Sequence, residues 1–279
     1  MRFGAALAAA MDQYGPLCVG IDPHSGLLEA WGVPDTAAGL RTFSDAVLDA
    51  AAGACAAVKP NAAFYERHGS AGVAVLEHVL GRSRELGLLT VLDAKRGDIG
   101  STMQGYAESY LVPGAPLEAD SVTVSPYLGF GSLRPAFDLA AQHGKGVFVL
   151  ALTSNPEGPS VQHAIAPDGR AVAAVVAEGA AALNSGADPM GDIGLVVGAT
   201  VGDAVHRLGI DLDRVNGPLL SPGVGAQGAG PAELSLVFGN AKARVLVNQS
   251  RGVLSAGPDV ERLRVAVVEA SAAAASILR

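Results

Sequence analysis

The chain has 279 residues, 49% of them apolar and only 5% aromatic, so a sizeable core can be built mostly from Ala, Val and Leu. Its formal net charge of −8 excludes general nucleic-acid affinity, which needs clustered Lys and Arg, but leaves room for a local cationic pocket. No uninterrupted apolar run approaches the ~18 residues of a membrane span, so a membrane partner is not expected.

The N-terminal Met1-Arg2-Phe3-Gly4 and the Ala-rich run behind it carry one positive charge, with Asp12 close by. This reads as a short helix, not a leader peptide. From there short β-type runs alternate with longer helical ones. In chain order the pattern predicts strand 16–21, helix 36–52, strand 54–58, helix 72–86, strand 88–92, helix 102–110, strand 120–124 and helix 132–143. It continues with strand 146–152, helix 169–185, strand 193–197, helix 201–208, strand 218–220, helix 229–238, strand 244–247 and helix 258–277. Residues 155–170 read as a structureless surface loop. Val-rich strands separated by amphipathic helices imply a parallel sheet. Eight β/α units predict a closed (β/α)₈ TIM barrel, a single domain over 1–279. An open doubly wound sheet is the alternative, but no G-x-G-x-x-G follows the first strand. Cys18 and Cys55 lie in apolar strand-like runs and read as small buried hydrophobes. Nothing implies an oxidising compartment, and a cytoplasmic location is expected.

Chemistry-bearing residues recur just after the predicted strands. Asp22 follows the first, Lys59 the second, Asp93 and Lys95 the third, Ser125 the fourth and Thr153-Ser154-Asn155 the fifth. A Gly-rich segment, Ser221 to Gln227, follows the seventh, and Asn248 to Gly252, with Arg251, follows the eighth. In a (β/α)₈ barrel all of these converge on one face. The last two loops suit a phosphate, because glycines let backbone N–H groups approach an anion and a guanidinium can bind its oxygens bidentately. The densest cluster is Asp93-Ala94-Lys95-Arg96-Gly97-Asp98. Alternation along a strand points Asp93 and Lys95 the same way, and Lys59 on the neighbouring strand is the natural partner of Asp93. Arg96 should point away and act as a structural ion-pair partner. The six histidines show no ligand spacing, and interleaved lysines disfavour a cation among the carboxylates.

Asp93-x-Lys95-x-x-Asp98, with Lys59 one strand earlier and Asp22 on the first strand, resembles the orotidine 5′-phosphate decarboxylase family. The string Asp-Ala-Lys-Arg-Gly-Asp-Ile-Gly-Ser-Thr and the run Val-Lys-Pro-Asn look like its longer bacterial subgroup, type 2. The resemblance implies decarboxylation of orotidine 5′-phosphate to uridine 5′-phosphate, the last step of de novo pyrimidine nucleotide synthesis, with no cofactor and no metal. It implies an alternating charge network of Lys59, Asp93, Lys95 and Asp98, with Lys95 protonating carbon six. Asp93 would face the substrate carboxylate, Asp22 and Lys59 the ribose hydroxyls, Ser154 the pyrimidine edge, and Gln227 and Arg251 the phosphate. It further implies a homodimer with a shared active site, in which Asp98 and Thr102 reach into the partner's site. Two rivals remain at this point. One is a metal-assisted sugar-phosphate decarboxylase or aldolase with the same Asp-x-Lys-x-x-Asp; the other is a non-catalytic phosphate-ligand sensor.

Overall fold

In a computed structural model that describes residues 1–224 and 228–278, eight parallel strands close in the order β1 to β8. They are β1 (Leu17–Ile21), β2 (Ala57–Pro60), β3 (Leu89–Arg96), β4 (Ser121–Val124), β5 (Gly146–Leu152), β6 (Ile193–Val197), β7 (Leu219–Pro222) and β8 (Val245–Gln249). Cys18 of β1 pairs with Ala57 of β2 on one side and Asn248 of β8 on the other, which closes the ring. The closed barrel, and not the open sheet, is therefore the fold.

The principal helices are α1 (Phe3–Tyr14), α2 (Ser25–Ala30), α3 (Ala37–Ala51), α4 (Ala62–Glu66), α5 (Gly69–Glu85), α6 (Gly100–Leu111) and α7 (Arg134–His143). They continue with α8 (Pro159–Gln162), α9 (Val172–Leu183), α10 (Ala204–Arg207), α11 (Leu212–Val215), α12 (Pro231–Phe238), α13 (Arg251–Leu254) and α14 (Val260–Leu278). Local chemistry sets several boundaries. Thr36 caps α3 by accepting from Gly39 N–H, and Asn61 caps α4 by accepting from Ala63 N–H. Pro135 opens α7, and Gly144, in the left-handed region at φ 67°, closes it. No helix among the described residues is long and apolar enough to cross a membrane.

Strand alternation divides the core in two. Residues such as Val19, Val58, Leu92, Val147 and Leu219 face the helices, whereas Cys18, Ala57, Val91, Phe148, Val196, Leu220 and Leu246 fill the barrel interior. Phe3 and Leu7 of α1 complete that interior cluster and plug the barrel at the N-terminal ends of the strands. The plug is tied down by Asp192, which accepts from Arg2 Nε at 2.7 Å and from Gly4 N–H at 2.8 Å. Two residues further along the same inward faces, the lining turns polar: Ala57 gives way to Lys59, Val91 to Asp93 and Leu246 to Asn248. One end of the barrel is therefore oily and the other charged.

Several sequence expectations shift. The second strand lies over Ala57–Pro60, not 54–58, and the third runs on to Arg96, not to 92, so Lys59, Asp93 and Lys95 stand within strands. Hydrophobicity ends where the lining turns polar, but ladder pairing does not. The 155–170 segment contains α8 and an isolated bridge between Ile165 and Ala171, so it is not structureless. The short helices α2, α4, α11 and α13 carry too few turns for a periodic signal.

Gly4 sits where a Cβ would lie 2.4 Å from the carbonyl oxygens of both Met190 and Gly191. Gly4→Ala is expected to lower unfolding free energy by roughly 1–3 kcal/mol in chemical denaturation, because backbone cannot move aside as a flexible side chain can. The charged end, across the barrel, should keep its ligand affinity.

Candidate active site

Asp93 is the centre of the charged end. Lys59 Nζ donates to its Oδ2 at 2.7 Å, and Lys95 Nζ donates to its Oδ1 at 2.5 Å. Thr123 Oγ1 donates to the same Oδ1 at 3.0 Å. The Lys59 side chain is 6% exposed and that of Asp93 9%, whereas that of Lys95 is 50% exposed, so one ammonium is locked away and the other faces the opening. The sequence pairing of Lys59, Asp93 and Lys95 is thus reproduced in three dimensions.

The local backbone brings this about in an unexpected way. Leu92 pairs with Val122, yet Arg96 pairs with Val124, so β3 carries two extra residues in between. Lys95 lies inside this bulge at φ 47°, a left-handed conformation that costs a non-glycine residue about 1–3 kcal/mol. Its N–H donates to Thr123 Oγ1 at 3.0 Å, and not to a strand carbonyl. Simple alternation does not account for the meeting of Asp93 and Lys95; the bulge does. Arg96 leaves the cluster, as expected: it pairs with Glu66, donates to Tyr110 Oη at 3.2 Å and lies over the Tyr106 ring.

Burial would raise the Asp93 carboxyl, but the ammoniums of Lys59 and then Lys95 outweigh it and hold its pKa at about 2, against an ordinary 3.8. Burial likewise works against the Lys59 ammonium, yet Asp93 and then Asp22 leave its pKa raised. Lys59 and Asp93 therefore both hold their charges across neutral pH. Both oxygens of Asp93 are already engaged by ammoniums, which leaves a cation no free edge of that carboxylate. The thiols lie beneath in the apolar layers; burial pushes Cys18 up strongly and Cys55 up to about 12, so both are inert as nucleophiles.

Asp22, at the end of β1, accepts from Ser250 Oγ at its Oδ2 while its Oδ1 is buried without a partner among the described residues. Asn248 Oδ1 is likewise buried and unpartnered. These residues line a cavity of about 660 Å³, together with His24, Gly223, Gly228 and Arg251. Arg251 stands exposed at the first position of α13. Asp22 lines this cavity and also acts electrostatically on the Lys59 ammonium, so it links the cavity to the Lys59–Asp93 pair. Gln227 lies outside the described residues.

Three expected residues stand apart from the cluster within this chain. Ser154 is exposed beyond β5. Asp98 accepts from Ile99 N–H at 2.8 Å and, among the described residues, forms no ion pair in the chain. Thr102 is exposed in the first turn of α6. The sequence reading missed Thr123, and it placed Asn248 and Ser250 in the loop after the eighth strand without giving either a role of its own. The alternation Ser121-Val122-Thr123-Val124, with hydroxyls on one face of a buried strand, was the available signal for Thr123.

Residues 15–266 match the model of the orotidine 5'-phosphate decarboxylase / HUMPS family. A Streptomyces coelicolor protein named orotidine 5'-phosphate decarboxylase is 59% identical over 265 residues, covering 95% of this chain and 94% of the relative. A solved Streptomyces avermitilis structure superposes with a TM-score of 0.95 at 56% identity, covering 99% of this chain and 96% of that one. The Leishmania donovani OMP decarboxylase superposes with a TM-score of 0.78 at 33% identity, over 100% of this chain and 99% of that one. The chain belongs to the orotidine 5'-phosphate decarboxylase / HUMPS family.

Proposed function

We propose that this protein decarboxylates orotidine 5′-phosphate to uridine 5′-phosphate in the cytoplasm, using its own side chains. The observation that carries this reading is the Asp93 carboxylate held between a buried and an exposed ammonium at the barrel mouth. Loss of carbon dioxide from an sp² carbon leaves a carbanion with no adjacent π system to absorb it. Catalysis must come from interactions stronger in the transition state than in the ground state. The Lys95 ammonium supplies one, stabilising charge at carbon six and then delivering its proton there. Asp93 holds that ammonium in place and opposes the substrate carboxylate, while Lys59, anchored on the far oxygen, keeps Asp93 ionised. Asp22 Oδ1 offers a free acceptor to a ribose hydroxyl. Arg251, beside the glycines of the cavity wall, suits the phosphate. Gln227 is assigned to the phosphate and Ser154 to the pyrimidine edge from the family resemblance alone.

The working unit is a homodimer in which Asp98 and Thr102 of one subunit complete the partner's site. Their separation from the cluster within one chain supports this. So do Ile99, 62% exposed, and Tyr127 and Leu128, 77% and 52% exposed, on the loops after the adjacent strands β3 and β4.

Following the ultraviolet absorbance of orotidine 5′-phosphate with purified protein and EDTA is expected to show turnover. Lys95→Ala should lower kcat by about a hundredfold or more while nucleotide binding stays measurable; activity within about tenfold of wild type would remove Lys95 as the proton donor. Mixing Asp98→Ala and Lys95→Ala chains should recover activity through heterodimers carrying one intact site; no recovery after confirmed subunit exchange would exclude the shared site.

The depressed Asp93 pKa also has a stability signature. A lowered carboxyl pKa contributes stability that is fully present above the unfolded value of 3.8 and lost as pH falls through about 2. Denaturation midpoints should therefore decline below about pH 4, and Asp93→Asn should flatten that decline.

A further inference from the structure

Thr123 touches both members of the pair that the proposed function relies on. It is 1% exposed on β4, and the polarity of its two hydrogen bonds is forced. The Lys95 backbone N–H can only donate and the ionised Asp93 carboxylate can only accept, so the hydroxyl oxygen receives the first and its proton goes to the second. The bulge is pinned by ladder pairing on both flanks, at Leu92 with Val122 and at Arg96 with Val124, and Ser125 N–H donates to Arg96 carbonyl oxygen at 2.7 Å just beyond it. Between these clamps the Lys95 N–H has left the ladder. A closed circuit results: Lys95 N–H to Thr123 Oγ1, Thr123 O–H to Asp93 Oδ1, and Lys95 Nζ back to the same Oδ1. The left-handed φ of 47° at Lys95 needs an external hold, and the hydroxyl is what meets it.

We propose that Thr123 is a positioning residue for the decarboxylation: its hydroxyl locks the strained Lys95 backbone to the Asp93 carboxylate and so aims the Lys95 ammonium. The proposal rests on the functional reading above. Without the hydroxyl the fold retains its ladder on both sides of the bulge, but the Lys95 peptide can relax and its ammonium loses a fixed origin. The effect belongs to the chemical step, because Thr123 faces Asp93 and Lys95 and does not line the cavity assigned to ribose and phosphate.

Full-length wild type, Thr123→Val and Thr123→Ser are compared by steady-state kinetics on orotidine 5′-phosphate, thermal unfolding, and hydrogen exchange of the peptide containing Lys95. Thr123→Val should lower kcat about ten- to hundredfold with KM changed less than about threefold, the loss expected for a hydrogen bond to a charged group. Thr123→Ser should restore kcat to within about threefold of wild type, and exchange at the Lys95 amide should quicken about tenfold or more in Thr123→Val alone. Thr123→Ala serves as the hydroxyl-free variant if Thr123→Val does not fold. Wild-type kcat in a hydroxyl-free variant, a Ser variant as impaired as Val, or unchanged Lys95 exchange overturns the proposal. A wild-type chain inactive on orotidine 5′-phosphate overturns the functional reading instead, and exchange at Lys95 still decides whether the hydroxyl holds the bulge.

Discussion

The charged end of this barrel depends on a buried carboxylate that is never left alone. Asp93 carries an ammonium on each oxygen and a hydroxyl as well. A buried carboxylate without such partners would take up a proton, and a buried lysine without a carboxylate would lose one. Each charge here is tolerable only because of the other. The pair is therefore both a structural solution and a store of fixed charge in a place where water cannot screen it.

The barrel makes that solution possible by separating its tasks along the strand axis. At one end, α1 inserts Phe3 and Leu7, and the interior is filled by Phe148, Val91, Leu220 and Leu246. This rigid apolar floor fixes where the strands end. At the other end, the same inward-facing positions two residues on carry Lys59, Asp93 and Asn248. The adjacent strands β2 and β3 place Lys59 and Asp93 side by side with no need for a long loop to order them, while Asn248 stands on β8, on the other side of β1. The unpartnered oxygens of Asp22 and Asn248 mark the side on which polar capacity is left over, and that side is the one lined by Arg251. A ligand with a phosphate and hydroxyls would meet matching groups there.

Asp98 and Thr102 show the same economy in the opposite sense. They belong to the motif that contains Asp93 and Lys95, yet the turn at Gly97 carries them away from it. A Cβ at Gly97 would lie 2.4 Å from Ser125 carbonyl oxygen, so only glycine lets the chain pass this close to β4. Just beyond Gly97 stand the half-buried Asp98 and the exposed Ile99, and Tyr127 and Leu128 are exposed on the loop after β4.

From residues alone, the β/α alternation, the closed barrel and the partnership of Lys59, Asp93 and Lys95 were legible, because they follow from hydrophobic periodicity and from charges placed where apolar runs stop. The outward role of Arg96 was legible for the same reason. The ends of β2 and β3 were not, since pairing between strands continues after hydrophobicity has lapsed. Neither was the bulge at Lys95, nor the hydroxyl of Thr123 that meets it, nor the contact between Ser250 and Asp22. Composition and spacing act along the chain and determine which residue types gather at the barrel mouth. Register and backbone handedness act between strands distant in sequence, and only the closed tertiary structure decides which atom of each residue faces which.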